Sequence, residues 1–318
     1  MKVFRKKPTE NSPEKKPPNV RPPEKKNSHD RPPGKKNSRL RRWIVLLIAS
    51  VLLLILLLCA TDNRLTVRRY TVVTDKVEGT IRVVMVSDLH SATFGEDQED
   101  LIRAIKREEP DVVVFVGDMC DNWEKHELAE DVFRAITPLY PCYYVTGNHE
   151  YWTGRSAEIV ALFERYDLIV LMGESDILTV NGQTIRLCGI ADAAAPGYTE
   201  TGRTTEEQLE TLAATFGDDG IFTLLLAHRP EFFEAYTKYD FDLVLSGHAH
   251  GGQIRIPGLI NGVFAPNQGW FPKYAGGRYE ENGTVMIVGR GLANNGGAVP
   301  RIFNPPELVV VEIEGAES

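Results

Sequence analysis

Cysteine is scarce in this chain. Its 318 residues include four cysteines, and no two of them form a CxxC pair. This excludes a disulfide-stapled scaffold and the thiolate zinc sites built on paired cysteines. Cys59 lies in an apolar run, and we interpret Cys120, Cys142 and Cys188 as small buried hydrophobic residues. Because soft ligands are nearly absent, a metal site here must use oxygen and nitrogen ligands.

Positive charge is scarce over most of the chain and concentrated at its start. Residues 1–42 carry 15 Lys/Arg against 4 Asp/Glu, a net charge of +11. The whole chain carries −8 and residues 43–60 are uncharged, so residues 61–318 carry −19. An acidic domain is poorly suited to phosphate backbones, so nucleic acid is not an expected partner.

The basic segment 1–42 contains a ten-residue repeat. RPPEKKNSHD begins at Arg21 and RPPGKKNSRL follows at Arg31. With almost nothing to bury, the segment is predicted to be disordered and partly polyproline-like. Two functions stay open for it: attraction to an anionic inner leaflet, or a flank that sets membrane topology without a specific partner.

Residues 43–60, WIVLLIASVLLLILLLCA, contain no charge. Eighteen helical residues span about 27 Å, close to the ~30 Å bilayer core. We predict a single transmembrane signal anchor in the cell membrane. The Lys/Arg excess before it places the N-terminus in the cytoplasm and the large domain outside. A cleaved signal peptide, a lipoprotein signal at Cys59 and a twin-arginine signal at Arg41-Arg42 are the alternatives.

Apolar runs alternate with amphipathic segments after the span. Residues 61–80 are interpreted as a linker with a candidate first strand over 65–73, and residues 81–318 as one domain. Strands are predicted over 81–86, 112–116, 142–146, 177–180, 184–190, 221–226, 241–245, 284–288 and 308–314. Helices are predicted over 97–107, 128–137 and 156–166. This strand-to-helix order predicts an α/β fold.

Five of the seven histidines lie in a few short motifs. Each motif begins just past a predicted strand: Asp88-Leu-His90, Gly117-Asp118-Met-Cys-Asp121, Gly147-Asn148-His149-Glu150, His228, and Gly247-His248-Ala-His250. Ligands of α/β sheets bind at the carboxyl ends of the strands. Since imidazole and carboxylate suit hard or borderline divalent ions, we predict a metal site at this edge.

The spacing within the motifs suits shared ions. Two pairs lie two residues apart, which lets both side chains face one ion: Asp88 with His90, and His248 with His250. The two oxygens of Asp118 allow it to bridge two ions, and Gly117 before it permits close approach. Asn148 offers a neutral carbonyl oxygen, and His149 beside it is free for proton chemistry.

Taken together, the motifs resemble the calcineurin-like metallophosphoesterase superfamily. The matching positions are Asp88-x-His90, 26 residues, Gly117-Asp118-x-x-Asp121, 25 residues, Gly147-Asn148-His149-Glu150, then His228 and Gly247-His248-x-His250. The similarity covers residues 81–313. The apolar N-terminal segment, GHAHGGQIRIPG and APNQGWFPKY further resemble its membrane-associated bacterial YkuE-like branch.

The resemblance implies two facing β-sheets flanked by helices, with two divalent ions (Mn, Zn, Fe or Co) at one edge. The implied ligands of the first ion are Asp88, His90, Asp118 and His250. Those of the second are Asp118, Asn148, His228 and His248. Activated water would then hydrolyse a phosphomonoester, phosphodiester or pyrophosphate bond. His149 would stabilise the transition state or protonate the leaving oxygen, with Asp121 or Glu150 orienting it.

Substrate contacts are less sharply defined by the sequence. Arg290, between two glycines after a predicted strand, is a candidate phosphate ligand, or else a surface arginine. Asn148 is a second candidate contact, and Tyr151-Trp152 form either a substrate wall or part of the core. The expected substrate is a phosphate ester of lipid or cell-envelope type. The alternative is a non-catalytic metal-binding scaffold, or a tethering protein that acts through its basic tail.

Overall fold

The computed structural model describes residues 35–121, 126–199, 202–217, 219–293 and 299–316. It begins with helix α1 (Lys35–Ala60). Within the described part of the chain, only Ser38–Ala60 is long and apolar enough to cross a membrane, a property that signal sequences share. Residues 35–42 are helical, where the sequence predicted disorder, because extending an existing helix requires no new nucleation. The rest of the basic tail, residues 1–34, lies outside the described residues.

In the described residues, two six-stranded β-sheets, one two-stranded sheet and the flanking helices follow α1. The strands are β1 (Thr66–Thr74), β2 (Thr80–Val86), β3 (Val112–Val116), β4 (Cys142–Val145), β5 (Ile169–Val170), β6 (Glu174–Val180), β7 (Gln183–Gly189), β8 (Phe222–Leu226), β9 (Leu243–Ser246), β10 (Phe264–Ala265), β11 (Gly269–Trp270), β12 (Gly277–Glu281), β13 (Thr284–Val288) and β14 (Glu307–Gly315). The helices are α2 (Glu99–Arg107), α3 (Glu127–Ile136), α4 (Asn148–Trp152), α5 (Ser156–Glu164), α6 (Ala195–Tyr198), α7 (Thr205–Ala213) and α8 (Phe233–Tyr236).

The first sheet has the strand order β1-β14-β2-β3-β4-β5. Its pairs are parallel except β14 with β2. Strand β1 pairs with β14 over its whole length, from Thr66 opposite Glu307 to Thr74 opposite Gly315. The candidate strand in the predicted linker is thus part of this sheet, which begins before residue 81.

The second sheet has the order β12-β13-β9-β8-β7-β6. Its four inner strands are parallel, and the two edge strands are antiparallel to their neighbours. The predicted hairpin is confirmed as β6–β7. Asn181 and Gly182 at its turn have φ values of 52° and 73°, as a tight two-residue hairpin loop requires.

The core lies in three layers around the two sheets. Apolar side chains from both sheets meet between them, among them Met85, Leu187, Leu245 and Val311. Helices α2, α3 and α5 cover the outer face of the first sheet, and α7 and α8 that of the second. The predicted α/β sandwich of two facing sheets flanked by helices is confirmed.

All four cysteines are free thiols, and three of them, Cys120, Cys142 and Cys188, are buried. Burial raises the pKa of the Cys142 and Cys188 thiols to about 12. They therefore stay protonated at neutral pH and pack as small apolar side chains, as predicted.

A substitution between the sheets tests this layer. Leu245 on β9 is fully buried between the sheets, whereas Ile177 on β6 is 50% exposed. Leu245→Ala should lower the free energy of unfolding by about 2–5 kcal/mol, because it leaves a cavity in a close-packed layer. Ile177→Ala should change it by no more than about 0.5 kcal/mol. Urea unfolding of both variants measures the difference, and equal losses would contradict this layering.

Candidate metal centre

Strand ends from both sheets bring the predicted ligands together. Among the described residues, three overlapping groups hold ligand atoms within 4.8 Å of one another: Asp88/His90/His250, His90/Asp118/His149 and Asp118/His228/His248. Six of the seven predicted metal ligands belong to these groups. The seventh, Asn148, is the first residue of α4, directly after the loop that leaves β4.

His90 and His250 face each other within the first group. Their Nε2 atoms are 3.2 Å apart, and His90 Nε2 is 3.5 Å from Asp118 Oδ2. Two ligand atoms that each lie about 2.1 Å from one ion stand about 3–3.4 Å apart at ordinary bond angles. The spacing of the two rings therefore fits joint binding of a cation.

His228 shows the need for a positive charge most directly. Its Nδ1 lies 2.8 Å from the carbonyl oxygen of Val116, so Nδ1 carries a proton and Nε2 holds the lone pair of the neutral ring. Nε2 lies 3.2 Å from Asp118 Oδ2. Burial lowers the pKa of His228, but the Asp118 charge outweighs burial and raises it to about 10. In the metal-free protein, a proton would lie between His228 Nε2 and Asp118 Oδ2. A metal ion would bind the lone pairs of the same two atoms.

His248 and His250 are neutral rings. Burial, reinforced by His228, lowers the pKa of His248 to about 4. Burial likewise lowers the pKa of His250 to about 3, against the attraction of Asp88. The Nε2 of His248 lies 2.9 Å from Asn267 Oδ1, so Nε2 donates and Nδ1 keeps the lone pair. Neutral imidazole is the form that binds metal.

Buried oxygen atoms complete the donor set. Burial raises the pKa of Asp118, but His228 and His90 outweigh it and hold that pKa well below its usual range. Asp88 Oδ2 and Asn148 Oδ1 are buried without a hydrogen-bond partner in the described ranges. An unpaired buried acceptor costs about 1–3 kcal/mol unless a cation satisfies it. Carboxylate, amide and imidazole donors together fit divalent ions.

The backbone of the predicted ligands is strained. Asp88, His90, Asp118, His248 and His250 all have positive φ, between 46° and 63°. For residues with a Cβ this conformation costs about 1–2 kcal/mol each. Such strain concentrates at functional sites, where the surrounding structure holds it in place.

Gly117 supplies the close approach that the site requires. Its φ is 77°, and a Cβ there would lie 2.5 Å from His228 Nδ1 and 2.8 Å from the Gly147 backbone. No other residue type fits this position without moving one of them. The glycine thus allows the loops after β3, β4 and β8 to meet around Asp118.

Glu150 binds backbone amides. Its Oε1 accepts from Met119 N (2.8 Å) and Cys120 N (3.2 Å), and its Oε2 accepts from Asp118 N (3.0 Å) and Gly147 N (2.7 Å). Burial and the charge of Asp118 raise the pKa of Glu150 against the pull of these donors. The side chain therefore joins the loops after β3 and β4, and its hydrogen bonds go to backbone amides rather than to the ring of His149.

Asp121 contacts two histidines. Its Oδ1 lies 2.7 Å from His149 Nδ1 and 3.1 Å from His90 Nδ1, and these hydrogen bonds hold its pKa below the usual range. The His149 ring packs edge-on against His90 and beside Trp152, with its side chain 27% exposed. Asp121 therefore orients both rings, and His149 is the more accessible of the two.

Arg290 is buried beside these groups and turned toward other partners. Its Nη2 donates to Asn261 Oδ1 (2.8 Å) and Gly276 O (3.3 Å), and its Nε lies 3.5 Å from Glu307. The phosphate role predicted for Arg290 stays a prediction. Tyr151 is buried, with its hydroxyl 3.2 Å from Thr146 Oγ1, whereas Trp152 is exposed.

A polar relay behind His248 was missed from the sequence. Asp192 accepts two hydrogen bonds from Arg229, at 2.7 and 3.0 Å, and Arg229 Nη1 donates to Asn267 Oδ1 at 2.9 Å. The same Asn267 oxygen accepts from His248. One signal was available: Asp192 lies three residues past the end of β7, in the same relation to its strand as the ligand motifs.

Comparisons with known proteins agree with this geometry. The calcineurin-like phosphoesterase family model matches residues 81–252. An uncharacterized metallophosphoesterase of Aquifex aeolicus is 31% identical over 260 residues, covering 79% of this chain and 92% of the relative. The uncharacterized metallophosphoesterase YkuE of Bacillus subtilis is 28% identical over 242 residues, covering 73% and 79%.

A third relative carries a membrane description. The transmembrane protein with metallophosphoesterase domain of Bos taurus is 33% identical over 192 residues, covering 55% of this chain and 41% of the relative. The family match, the relatives and the buried His/Asp clusters all agree with the resemblance read from the motifs. The chain belongs to the calcineurin-like phosphoesterase family, a family of metal-dependent phosphoric ester hydrolases.

Proposed function

We propose that this protein is a membrane-anchored phosphoesterase that uses two divalent metal ions to hydrolyse a phosphomonoester, phosphodiester or pyrophosphate bond. The main support is the position of Asp118 Oδ2, which lies 3.5 Å from His90 Nε2 and 3.2 Å from His228 Nε2. One carboxylate oxygen thus stands between two groups of imidazole ligands. A carboxylate shared by two ions has this arrangement.

Each ion would have four ligands. The first would be held by Asp88, His90, Asp118 and His250, and the second by Asp118, Asn148, His228 and His248. Mn, Zn, Fe and Co all suit this mixture of oxygen and nitrogen donors. When bound, such ions lower the pKa of water and withdraw charge from phosphoryl oxygens.

His149 is the proposed proton donor to the leaving group. Its Nδ1 hydrogen bonds to Asp121 Oδ1 at 2.7 Å, which fixes the orientation of the ring. Its backbone N–H donates to Asp118 Oδ1 at 2.8 Å, so the ring is positioned relative to the shared carboxylate. The remaining ring nitrogen, Nε2, would give its proton to the departing oxygen.

The membrane location is a proposal of its own. Residues 43–60 would cross the bilayer once, with the basic N-terminus in the cytoplasm and the catalytic domain outside. Support comes from the apolar helix Ser38–Ala60 and from the bovine relative described as transmembrane. An anchored site favours substrates that are themselves in the membrane, so we propose a phosphate ester of lipid or cell-envelope type.

Metal-dependent hydrolysis is the first test. The full chain, stripped with a chelator, should regain hydrolysis of bis-p-nitrophenyl phosphate or p-nitrophenyl phosphate when Mn²⁺, Zn²⁺ or Mg²⁺ is added. Asp118→Asn should lose both bound metal and activity, because it alters the shared carboxylate. His149→Ala should keep its metal and lower kcat by about 10²–10⁴-fold, because it removes only the proton donor.

Two results would contradict this function. A folded chain that binds no metal would refute the metal centre itself. Two bound ions per chain without hydrolysis of soluble or lipid esters would favour the metal-binding scaffold instead. Metal content by elemental analysis, measured beside activity, separates the two.

A glycine pair tests the crowding around Asp118. Gly117 and Gly154 both have positive φ, 77° and 68°, but a Cβ at Gly154 would meet nothing within 4 Å. Both alanine variants should lose about 1–2 kcal/mol of stability from the backbone alone. Only Gly117→Ala should also lower metal affinity, about 10–100-fold, because it displaces His228 or the Gly147 loop. Equal affinities by calorimetric titration would refute the close approach.

An asparagine pair tests the relay behind His248. Asn267→Ala removes the acceptor that fixes the ring of His248, so metal affinity should fall about 10–100-fold. Asn261→Ala removes the acceptor of Arg290 Nη2, together with hydrogen bonds to Gly276 and Tyr279, and should leave metal affinity unchanged. Calorimetric metal titration of the two variants decides. A similar loss in both would mean that Asn267 has no specific role in holding His248.

A further inference from the structure

Five large apolar side chains are exposed on one short segment. We call residues 254–271 the apolar loop. Leu259, Trp270 and Phe271 are 78%, 72% and 65% exposed, and Ile256 and Phe264 are also exposed. Single exposed apolar residues are ordinary, but five of them on one segment indicate an interaction surface.

The exposure of these side chains is fixed by an ordered backbone. Strands β10 and β11 pair as a hairpin within the loop, and the rings of Phe264 and Trp270 pack edge to face at 5.6 Å. Gln268 exchanges two hydrogen bonds of 2.9 Å with the backbone of Tyr274. Ala265 is fully buried beneath them. The loop therefore holds its apolar side chains in solvent.

The strained backbone of Phe271 also indicates an interaction surface. Its φ is 55°, a conformation that bulky side chains rarely adopt. Its backbone N–H donates to Val263 O at 2.8 Å, which holds the residue in place. An exposed phenylalanine kept in a strained conformation contributes nothing to the core, so we look for its role outside the chain.

The apolar loop begins beside the end of the apolar helix. The backbone N–H of Phe303 donates to Ala60 O at 2.8 Å, where α1 ends. The preceding residue, Ile302, accepts from Arg255 N at 2.9 Å, at the start of the loop. Two backbone hydrogen bonds thus connect the last residue of the proposed anchor to this surface.

We propose that the apolar loop enters the outer surface of the bilayer that α1 crosses. This rests on the membrane anchoring of the proposed function and is independent of catalysis. Tryptophan is enriched at the membrane–water interface, and phenylalanine and leucine, like tryptophan, form the apolar faces of segments that lie in it. Residues 61–318 carry a net charge of −19, so attraction to anionic lipid would not bring the domain down. Insertion is therefore apolar and needs only zwitterionic lipid.

The loop also reaches the metal centre. Asn267 lies within the β10–β11 hairpin, between Phe264 and Trp270, and accepts the hydrogen bond from His248 Nε2 at 2.9 Å. The side chains that enter lipid and the side chain that orients a proposed metal ligand therefore share one hairpin. Insertion would place the metal centre at the membrane surface, within reach of phosphate esters on lipids.

A fluorescent label at residue 259 tests this placement. The full chain with Cys59→Ser and Leu259→Cys would carry a nitrobenzoxadiazole label, since the other three cysteines are buried. A matched variant would carry the label at Ile177→Cys, on the exposed edge strand β6. In phosphatidylcholine vesicles, the label at 259 should shift its emission to the blue and be quenched by bromine on the lipid chains. The label at 177 should do neither.

A second substitution keeps the test independent of folding. Trp270→Ser with Phe271→Asn removes two apolar side chains, and asparagine tolerates the backbone conformation of residue 271. This variant should keep its thermal midpoint while the label at 259 loses its blue shift and quenching. Added anionic lipid should not strengthen quenching in the parent protein.

The outcomes separate anchoring from loop insertion. A protein that fails to float with vesicles lacks the anchor, and the proposed membrane location is then wrong. A protein that floats, with labels at 259 and 177 behaving alike, overturns the insertion while the anchor stands. A blue shift in detergent that grows with protein concentration would mean that a second copy covers the loop, which also overturns the proposal.

Discussion

The site depends on one buried carboxylate, that of Glu150. Four backbone N–H groups from the loops after β3 and β4 donate to it. Without this acceptor, four buried donors would lose their partner, at about 1–3 kcal/mol each. The loops carry Asp118 and Asn148, so their spacing is set by Glu150 before any ion binds. A residue that touches no reacting atom thereby fixes those that do.

Positive charge is the second requirement. Asp88, Asp118 and Glu150 are all buried, and carboxylates without compensation do not remain ionised inside a protein. In the absence of metal, the high pKa of His228 supplies one proton to this group. Two divalent ions would replace that proton and relieve the unpaired oxygens of Asp88 and Asn148.

The sequence predicted the features that recur along the chain, namely buried strands followed by metal-ligand motifs. Buried parallel strands are continuous apolar runs, so the bounds predicted from the sequence for β3 and β13 agree with the structure at both ends. The predicted metal ligands are recognised because they come directly after such runs. Strand β12, GRYEE, has no apolar pattern because it lies at an exposed edge. No helix was predicted over 205–213, although the capping box of Thr204 with Glu207 indicates the start of α7. The contacts of Asp192, Arg229 and Asn267 span 75 residues and exist only once the ends of β7 and β8 meet the β10–β11 hairpin.

The negative charge of the domain affects how an anionic substrate would reach the metal centre. Phosphate esters are anions, and a domain with a net charge of −19 repels them at long range. Among the predicted site residues, Arg290 is the permanent cation. Its Nη2 donates to Asn261 and its Nε lies 3.5 Å from Glu307, whereas its Nη1 has no hydrogen-bond partner among the described residues. Bound divalent ions would supply most of the attraction for such a substrate, and their field is strong only nearby. Such a site works best on substrates already delivered to it, which is what a membrane surface provides.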